Sequence, residues 1–123
     1  MTSPLKVAVL GASNNPDRIS NLLIRRLLAK GHEVFPVNPA LKTIEGLTVV
    51  NELSALPNDI DVLTLYVNAE RSSVLADQIE GLKAKRVVFN PGAENPALQL
   101  RLSQNGTETS EACSLVLLSQ NQL

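Results

Sequence analysis

The residues best suited to bind a ligand follow the first apolar run of the chain. The segment Gly11-Ala12-Ser13-Asn14-Asn15-Pro16 separates an aliphatic run at 5–10 from a predicted helix that begins near Ile19. Gly11 permits a tight turn, and free backbone N–H groups at a helix start suit a phosphate. The hydroxyls of Ser13 and Ser20 and the guanidinium of Arg18 add further donors. This pattern predicts a phosphate or pyrophosphate site, and the alternative is a plain turn with helix-capping side chains. With one glycine, the loop is neither the G-x-G-x-x-G fingerprint nor a Walker loop.

The end of the second apolar run bears on which nucleotide would fit. An NAD site places a carboxylate there to bind the ribose hydroxyls. This chain has Val37-Asn38-Pro39 instead, Glu33 lies at the opposite end of the run, and Lys42 follows shortly after. A cation there suits a ribose that carries a phosphate, as in NADP or coenzyme A. The alternatives are a strand-ending turn at Asn38-Pro39 and a solvated lysine at Lys42.

No set of side chains predicts catalysis or a metal site. Cys113 is the only thiol, and we expect it to be buried, as most lone cysteines are, rather than to pair with a ligand thiol. Glu94 follows a predicted strand without a base or nucleophile beside it, and His32 lies at the end of a strand away from the expected site. One Cys and one His cannot build a Cys/His zinc site.

Composition excludes several classes of protein. The 11 Lys and Arg residues nearly balance the 12 Asp and Glu residues, and aromatic residues make up 2% of the chain, so nucleic-acid binding is disfavoured. No apolar run approaches the length of a membrane helix, so we expect no membrane contact. A single unpaired Cys favours a cytoplasmic protein.

Short apolar runs alternate with helical patterns about five times along 123 residues, which predicts one domain over residues 1–123. Helices are predicted at 19–30, at 70–82 and from Asn95-Pro96 to near Gly106, with a helical turn at 53–56. Strands are predicted at 5–10, 34–37, 47–50, 62–67 and 86–89. The polar segment 107–111 argues against a strand, and 115–118 is either a terminal helix or an edge element.

The alternation of strands and helices predicts an α/β fold class, with three layers and a doubly wound, mostly parallel sheet of about five strands. Ligands of such folds bind at the carboxyl ends of the strands.

Several segments together resemble the stand-alone CoA-binding domain proteins, a family similar to the CoA-binding domain of the succinyl-CoA synthetase alpha subunit. The resemblance rests on Val7 to Pro16, Arg18-Ile19-Ser20, Gly31 to Pro39, Asn90 to Asn95 and Glu111 to Leu117, in order and with similar spacing. It covers nearly the whole chain and implies a Rossmann-like domain that binds coenzyme A or an acyl-CoA. One departure is Ile19, where many relatives are expected to carry an aromatic residue.

The resemblance also implies a set of binding residues. The pyrophosphate would lie against Gly11, Ala12, Ser13, Arg18 and Ser20, and Asn15 of the same loop belongs to the binding set. Asn38 and Pro39 would flank the adenosine, with Lys42 near the 3′-phosphate. Val67 and Asn68 would border the middle of the ligand, and Asn90, Pro91 and Gly92 would line the path of the pantetheine.

We therefore expect a non-catalytic binder of coenzyme A or a short acyl-CoA that acts as a carrier, sensor or regulator. The βαβ units of the expected cleft occupy nearly all 123 residues, which favours binding over independent catalysis. The alternative is an NADP- or acyl-CoA-dependent enzyme subunit whose partner chain supplies the reactive groups. A third hypothesis is a pure interaction module. The expected partner is the small-molecule ligand, and a protein partner or a homodimer is compatible with the sequence.

Overall fold

The computed structural model describes residues 3–123, which form alternating strands and helices. The strands are β1 (Lys6–Leu10), β2 (Glu33–Val37), β3 (Thr43–Ile44), β4 (Leu47–Thr48), β5 (Val62–Leu65), β6 (Arg86–Phe89) and β7 (Glu108–Glu111). The helices are α1 (Ile19–Ala29), α2 (Ala69–Val74), α3 (Ala76–Leu82), α4 (Pro96–Gln104) and α5 (Ser114–Ser119), with a 3₁₀ turn at Leu53–Ala55. No helix within residues 3–123 is long and apolar enough to cross a membrane.

Five strands form one parallel sheet in the order β2-β1-β5-β6-β7. From β1 the chain first moves outward to β2, then returns to β5 on the other side of β1 and continues outward to β7. Helices therefore cover both faces, because right-handed crossovers in opposite directions place them on opposite sides. The predicted doubly wound α/β fold is confirmed. Its strand order reverses between β1 and β5, which is where such folds bind ligands.

The identity of the fifth strand differs from the prediction. Residues 47–50 do not enter the sheet as a strand, because β4 pairs with β3 in a separate antiparallel hairpin. Within residues 3–123, an isolated parallel bridge from Val50 to Val37 is all that continues the sheet beyond β2. The fifth strand is β7, whose sequence Glu-Thr-Ser-Glu is polar and which pairs with β6 alone. An edge strand is held by backbone hydrogen bonds on one side, so it can form without a buried apolar face.

The predicted helix at 70–82 is two helices, with the break at Leu75, where α2 ends and α3 begins. The predicted start of α4 is confirmed, since the side chain of Asn95 caps the helix by accepting from the Leu98 amide and Pro96 follows at its first position. Residues 115–118 form a terminal helix rather than an edge element.

The core has two layers, one on each face of the sheet, because side chains alternate along a strand. Val7 and Val9 of β1 face α1 and α5, whereas Ala8 and Leu10 face α3 and α4. On α1, Leu23, Ile24 and Leu27 are fully buried. Burying each such side chain contributes about 1.5–3 kcal/mol. This packing holds α1 against the sheet and thereby sets the position of its first residues.

Candidate functional site

The turn after β1 requires glycine. Gly11 has a φ of +86°, and a Cβ at this position would lie 2.8 Å from the carbonyl oxygen of Tyr66. The backbone of the β1 loop therefore lies against the backbone that follows β5, directly at the reversal of strand order. A side chain at position 11 would push these two segments apart.

The side chain of Asn38 ties the loop after β2 to the loop after β1. Its Nδ2 donates to the Ala12 carbonyl at 3.0 Å, and its Oδ1 accepts from the amides of Ala40 and Leu41 at 2.8 and 3.1 Å. Asn51 holds the same loop from the other side, since its Nδ2 donates to the carbonyls of Asn38 and Leu41. Asn38 thus positions the site with its side chain, a role that was not predicted.

A second buried amide holds the first loop against α1. Asn21 is fully buried, and its Nδ2 donates to the Ser13 carbonyl at 2.9 Å. Arg25 donates from Nε to Asn21 Oδ1 and from Nη2 to the Pro16 carbonyl. The sequence analysis missed both residues. The available signal was an asparagine and an arginine spaced four residues apart on a helix, which places them on one face.

One cavity of about 740 Å³ lies over the first loop and the start of α1, and we call it the loop cavity. Its polar lining includes Ser13, Arg18 and Ser20. Arg18 is the N-cap residue of α1, and no side chain caps the helix, which leaves its first amides free to meet an anion. Ile19 and Tyr66 supply apolar surface.

A second cavity of about 700 Å³ lies between the end of β2 and the start of α2, and we call it the cleft cavity. It meets the loop cavity at Gly11 and Asn38, which line both. Its apolar lining includes Leu10, Val37, Leu53, Val67 and Leu75, and its polar lining includes Asn51, Glu52, Asn68, Arg71 and Gln78. Both volumes are typical of small-molecule sites.

The two cavities bring together nine of the fourteen predicted residues, namely Gly11, Ala12, Ser13, Arg18, Ser20, Asn38, Pro39, Val67 and Asn68. The other five do not line either cavity, namely Asn15, Lys42, Asn90, Pro91 and Gly92. Asn15 is exposed and its Oδ1 accepts from the Asp17 amide. Lys42 is exposed beside the β3–β4 hairpin, and Pro91 and Gly92 are exposed after β6. Asn51, Glu52, Leu53, Leu75 and Gln78 line the cleft cavity and were not predicted.

Asn90 is buried in a polar network rather than exposed to a cavity. Its Nδ2 donates to Thr64 Oγ1 at 2.7 Å and to the Leu65 carbonyl at 2.9 Å, and its Oδ1 accepts from the Ser114 amide at 2.8 Å. The hydroxyls of Thr64 and Ser114 are 2.7 Å apart. The network joins β5, β6 and the start of α5, so Asn90 fixes the position of the strand ends.

Tyr66 lines the loop cavity and lies near Thr64 and Ser114 of this network. Its hydroxyl is buried and has no hydrogen-bond partner within residues 3–123. Burial raises the pKa of this phenol, and nearby Cys113 raises it further. Tyr66 is therefore neutral at physiological pH. Cys113 itself is half-buried rather than fully buried as expected.

The charged groups of the cavities are separate from the ion pairs of the fold. In the described part of the chain, salt bridges join Lys6 to Asp59, Lys85 to Asp61, and Arg101 to both Asp77 and Glu80. Arg18 and Arg71 take part in none of them and remain available to an anionic ligand. Within residues 3–123 there is no cluster of three or more His, Cys, Asp or Glu side chains that could hold a metal ion.

Comparisons with known proteins agree with the observed fold. A family model described as CoA binding domain matches residues 5–119. The uncharacterized protein YneT of Bacillus subtilis is 29% identical over 101 residues, which cover 82% of this chain and 75% of YneT. A crystal structure of an uncharacterized protein has a TM-score of 0.91 and 37% sequence identity, covering 99% of this chain and all of the other.

A larger relative contains a similar segment. The ADP-forming acetate–CoA ligase II subunit alpha of Pyrococcus furiosus is 27% identical over 66 residues, which cover 53% of this chain. The matched region spans 14% of that subunit, so most of the ligase subunit has no counterpart in this chain.

Proposed function

The chain belongs to the CoA binding domain family, and from this premise we propose that its two joined cavities bind coenzyme A or a short acyl-CoA. The observation that carries the proposal is the meeting of the cavities at Gly11 and Asn38, with Gly11 at the reversal of strand order between β1 and β5. A ligand with an anionic middle and an apolar ring system fits this arrangement. The free amides of α1, Ser13, Ser20 and Arg18 suit the pyrophosphate.

The adenosine would lie in the cleft cavity, between Asn38-Pro39 on one side and Val67-Asn68 on the other. Apolar side chains at the floor and amides at the rim are the usual surroundings of a nucleobase with polar edges. The fully hydrogen-bonded side chain of Asn90 argues that the pantetheine, if it passes this edge of the sheet, contacts Pro91 and Gly92 instead.

We further propose that this chain binds its ligand without catalysing a reaction by itself. Among residues 3–123, no Cys, His or Lys lines either cavity. The loop cavity offers the hydroxyls of Ser13, Ser20 and Tyr66, but no hydrogen bond joins any of them to a carboxylate of the lining, Asp17 or Glu52. General acid–base or covalent catalysis needs such groups in mutual reach. A carrier, sensor or regulator in the cytoplasm is the role that fits these properties.

A second candidate is a binding subunit of an acyl-CoA- or NADP-dependent enzyme. The observation that favours it is the similarity to a segment that spans 14% of a ligase subunit. In this case a partner chain supplies the reactive groups, and the activity appears only in the complex. Native mass spectrometry of freshly purified protein distinguishes the two, because it reports bound ligand and partner chains together.

Thermal unfolding with added ligand tests the proposal. A ligand present at ~100 times its Kd adds about 2.7 kcal/mol of stability, so millimolar coenzyme A or acetyl-CoA should raise the Tm measurably. The Tm measured with NADP at the same concentration shows whether the protein binds coenzyme A or NADP more tightly. If neither coenzyme A nor acetyl-CoA raises the Tm, the proposal is wrong.

A further inference from the structure

The cleft cavity contains one carboxylate and one guanidinium, Glu52 and Arg71, that form no ion pair with each other. Both side chains belong to exposed residues. Within residues 3–123, Arg71 has no side-chain hydrogen bond, and Glu52 accepts only a long one, 3.4 Å, from the Ser54 hydroxyl. Two opposite charges thus line one cavity with most of their hydrogen-bonding capacity unused.

The position of Glu52 follows from the bridge beside β2. The Asn38 amide donates to the Val50 carbonyl at 3.1 Å, and the Val50 amide donates to the Pro36 carbonyl at 2.8 Å. Val50 therefore lies alongside β2, and Glu52 follows at the same carboxyl edge. A carboxylate beside the end of the second strand is the group that binds ribose hydroxyls in dinucleotide sites. Here the carboxylate comes from the neighbouring segment instead of from β2.

The position of Lys42 argues against a direct role in the cleft cavity. Lys42 is exposed and lines neither cavity, and its backbone carbonyl accepts from the Val49 amide at the base of the hairpin. Arg71 is the cation that lines the cleft cavity. A guanidinium also binds phosphate oxygens through two parallel hydrogen bonds, which an ammonium cannot do.

We propose that Arg71 binds a phosphate on the ribose of the ligand and that Glu52 accepts a hydrogen bond from the remaining ribose hydroxyl. The inference rests on the proposed function and defines its ligand class. The cleft cavity selects a nucleotide whose ribose carries one phosphate and one free hydroxyl, as coenzyme A does. A ribose with two free hydroxyls leaves Arg71 without its partner and binds less tightly.

Isothermal titration calorimetry with coenzyme A and dephospho-CoA tests the assignment. The wild-type protein should bind coenzyme A tighter by about 10-fold or more, the usual effect of a charge-assisted contact. Arg71→Met removes the charge but keeps much of the apolar stem. This variant should bind coenzyme A and dephospho-CoA with about equal affinity. Glu52→Ala should weaken both ligands by a similar factor, about 3- to 10-fold, because the hydroxyl is present in both.

Lys42→Met is the matched comparison, since it removes the competing cation. If Lys42→Met abolishes the preference while Arg71→Met retains it, the assignment to Arg71 is wrong. Equal affinity of the wild-type protein for the two ligands also overturns it. Failure of the wild-type protein to bind either ligand instead rejects the proposed function itself. The Tm of each unliganded variant verifies that it is folded.

Discussion

The Nδ2 of Asn38 lies 3.0 Å from the carbonyl oxygen of Ala12, and this hydrogen bond joins the loops that follow the two neighbouring strands β2 and β1. The same side chain accepts two amides of its own loop, from Ala40 and Leu41. Each loop is also held on its own side, the first by Asn21 and Arg25 and the second by Asn51. Joined through Asn38, they form a single surface between the loop cavity and the cleft cavity.

Replacing Asn38 by Asp should therefore weaken both the fold and the ligand site. The carboxylate keeps the two accepted bonds but cannot donate to the Ala12 carbonyl, and it adds a negative charge beside the proposed phosphate position. We expect a loss of about 1–3 kcal/mol in the free energy of unfolding and at least ~10-fold weaker binding of coenzyme A. Urea unfolding and calorimetry measure the two effects.

Gln104→Glu is the control for Asn38→Asp, because it adds the same charge at an exposed position at the end of α4. It should leave the affinity unchanged and lower the free energy of unfolding by no more than ~0.5 kcal/mol, because a negative charge at the C-terminal end of a helix opposes its dipole. An Asn38→Asp variant that behaves like this control would show that the link between the loops is dispensable.

Gly11→Ala should destabilise the protein more than a glycine substitution at an equally strained but open position. The added Cβ meets the Tyr66 carbonyl at 2.8 Å in addition to the cost of a φ of +86°. Gly31 has a φ of +83° and no atom within 4 Å of an added Cβ. Gly31→Ala therefore costs only the strain of holding alanine at a positive φ, about 1 kcal/mol.

The difference between the two variants isolates the close contact at Gly11. We expect Gly11→Ala to cost at least ~1 kcal/mol more than Gly31→Ala, because overpacking forces backbone shifts. We also expect it to lose coenzyme A binding, whereas Gly31→Ala retains it. Equal unfolding free energies for the two variants would mean that the segments at Gly11 and Tyr66 separate without cost.

The sequence allowed the central strands and the first loop to be predicted because their signals are local. The aliphatic runs of β1 and β5 are buried on both faces, and Gly11 and Gly31 mark where β1 and α1 end. The polar strand β7 gave no such signal. It exists because β6 offers an open edge to its backbone, which is a property of the assembled sheet.

The structure brings the predicted residues together best where the chain is continuous. Gly11 to Ser20 lie in one loop and at the start of the helix that follows it, so their proximity could be inferred from order along the chain. Glu52 reaches the cleft cavity only because Val50 pairs beside β2. Asn21 and Asn51 act through carbonyls 8 to 13 residues away. Such contacts depend on how loops pack together, which residue spacing does not specify.

Asn90→Ala should reduce stability strongly while leaving ligand affinity nearly unchanged. Asn90 is 1% exposed and makes three hydrogen bonds, so its loss leaves the Leu65 carbonyl and the Ser114 amide buried without partners. Unsatisfied buried groups cost about 1–3 kcal/mol each, and we expect a total loss of about 3 kcal/mol. Chemical unfolding and calorimetry below the Tm of the variant measure both quantities.

Pro91→Ala complements this experiment because Pro91 is exposed at the same strand end. If the pantetheine passes here, Pro91→Ala should weaken coenzyme A by a few-fold with little change in stability. A large loss of affinity in folded Asn90→Ala would contradict the purely structural role of Asn90 and restore it to the ligand path.

The stability of the protein should decrease as the pH falls from about 7 to about 5, and His32 should be a main cause. His32 is buried, and its Nδ1 accepts a hydrogen bond from the Leu5 amide at 2.9 Å. Burial, and then Lys30, lower the pKa of this imidazole below 6.5 in the folded protein. The unfolded chain therefore takes up the proton first as the pH falls through 6.5, and the free energy of unfolding falls until the folded pKa is reached.

His32→Gln has no titrating ring, so its free energy of unfolding should vary less over this range. Urea unfolding at several pH values compares the two proteins. The Lys6 amide donates to Asp61 and the Arg101 guanidinium donates to Glu80, and these hydrogen bonds lower the pKa values of the two carboxyl groups. Their contribution to stability is therefore lost only at more acidic pH. If His32→Gln shows the same decline between pH 7 and 5 as the wild-type protein, His32 is not its source.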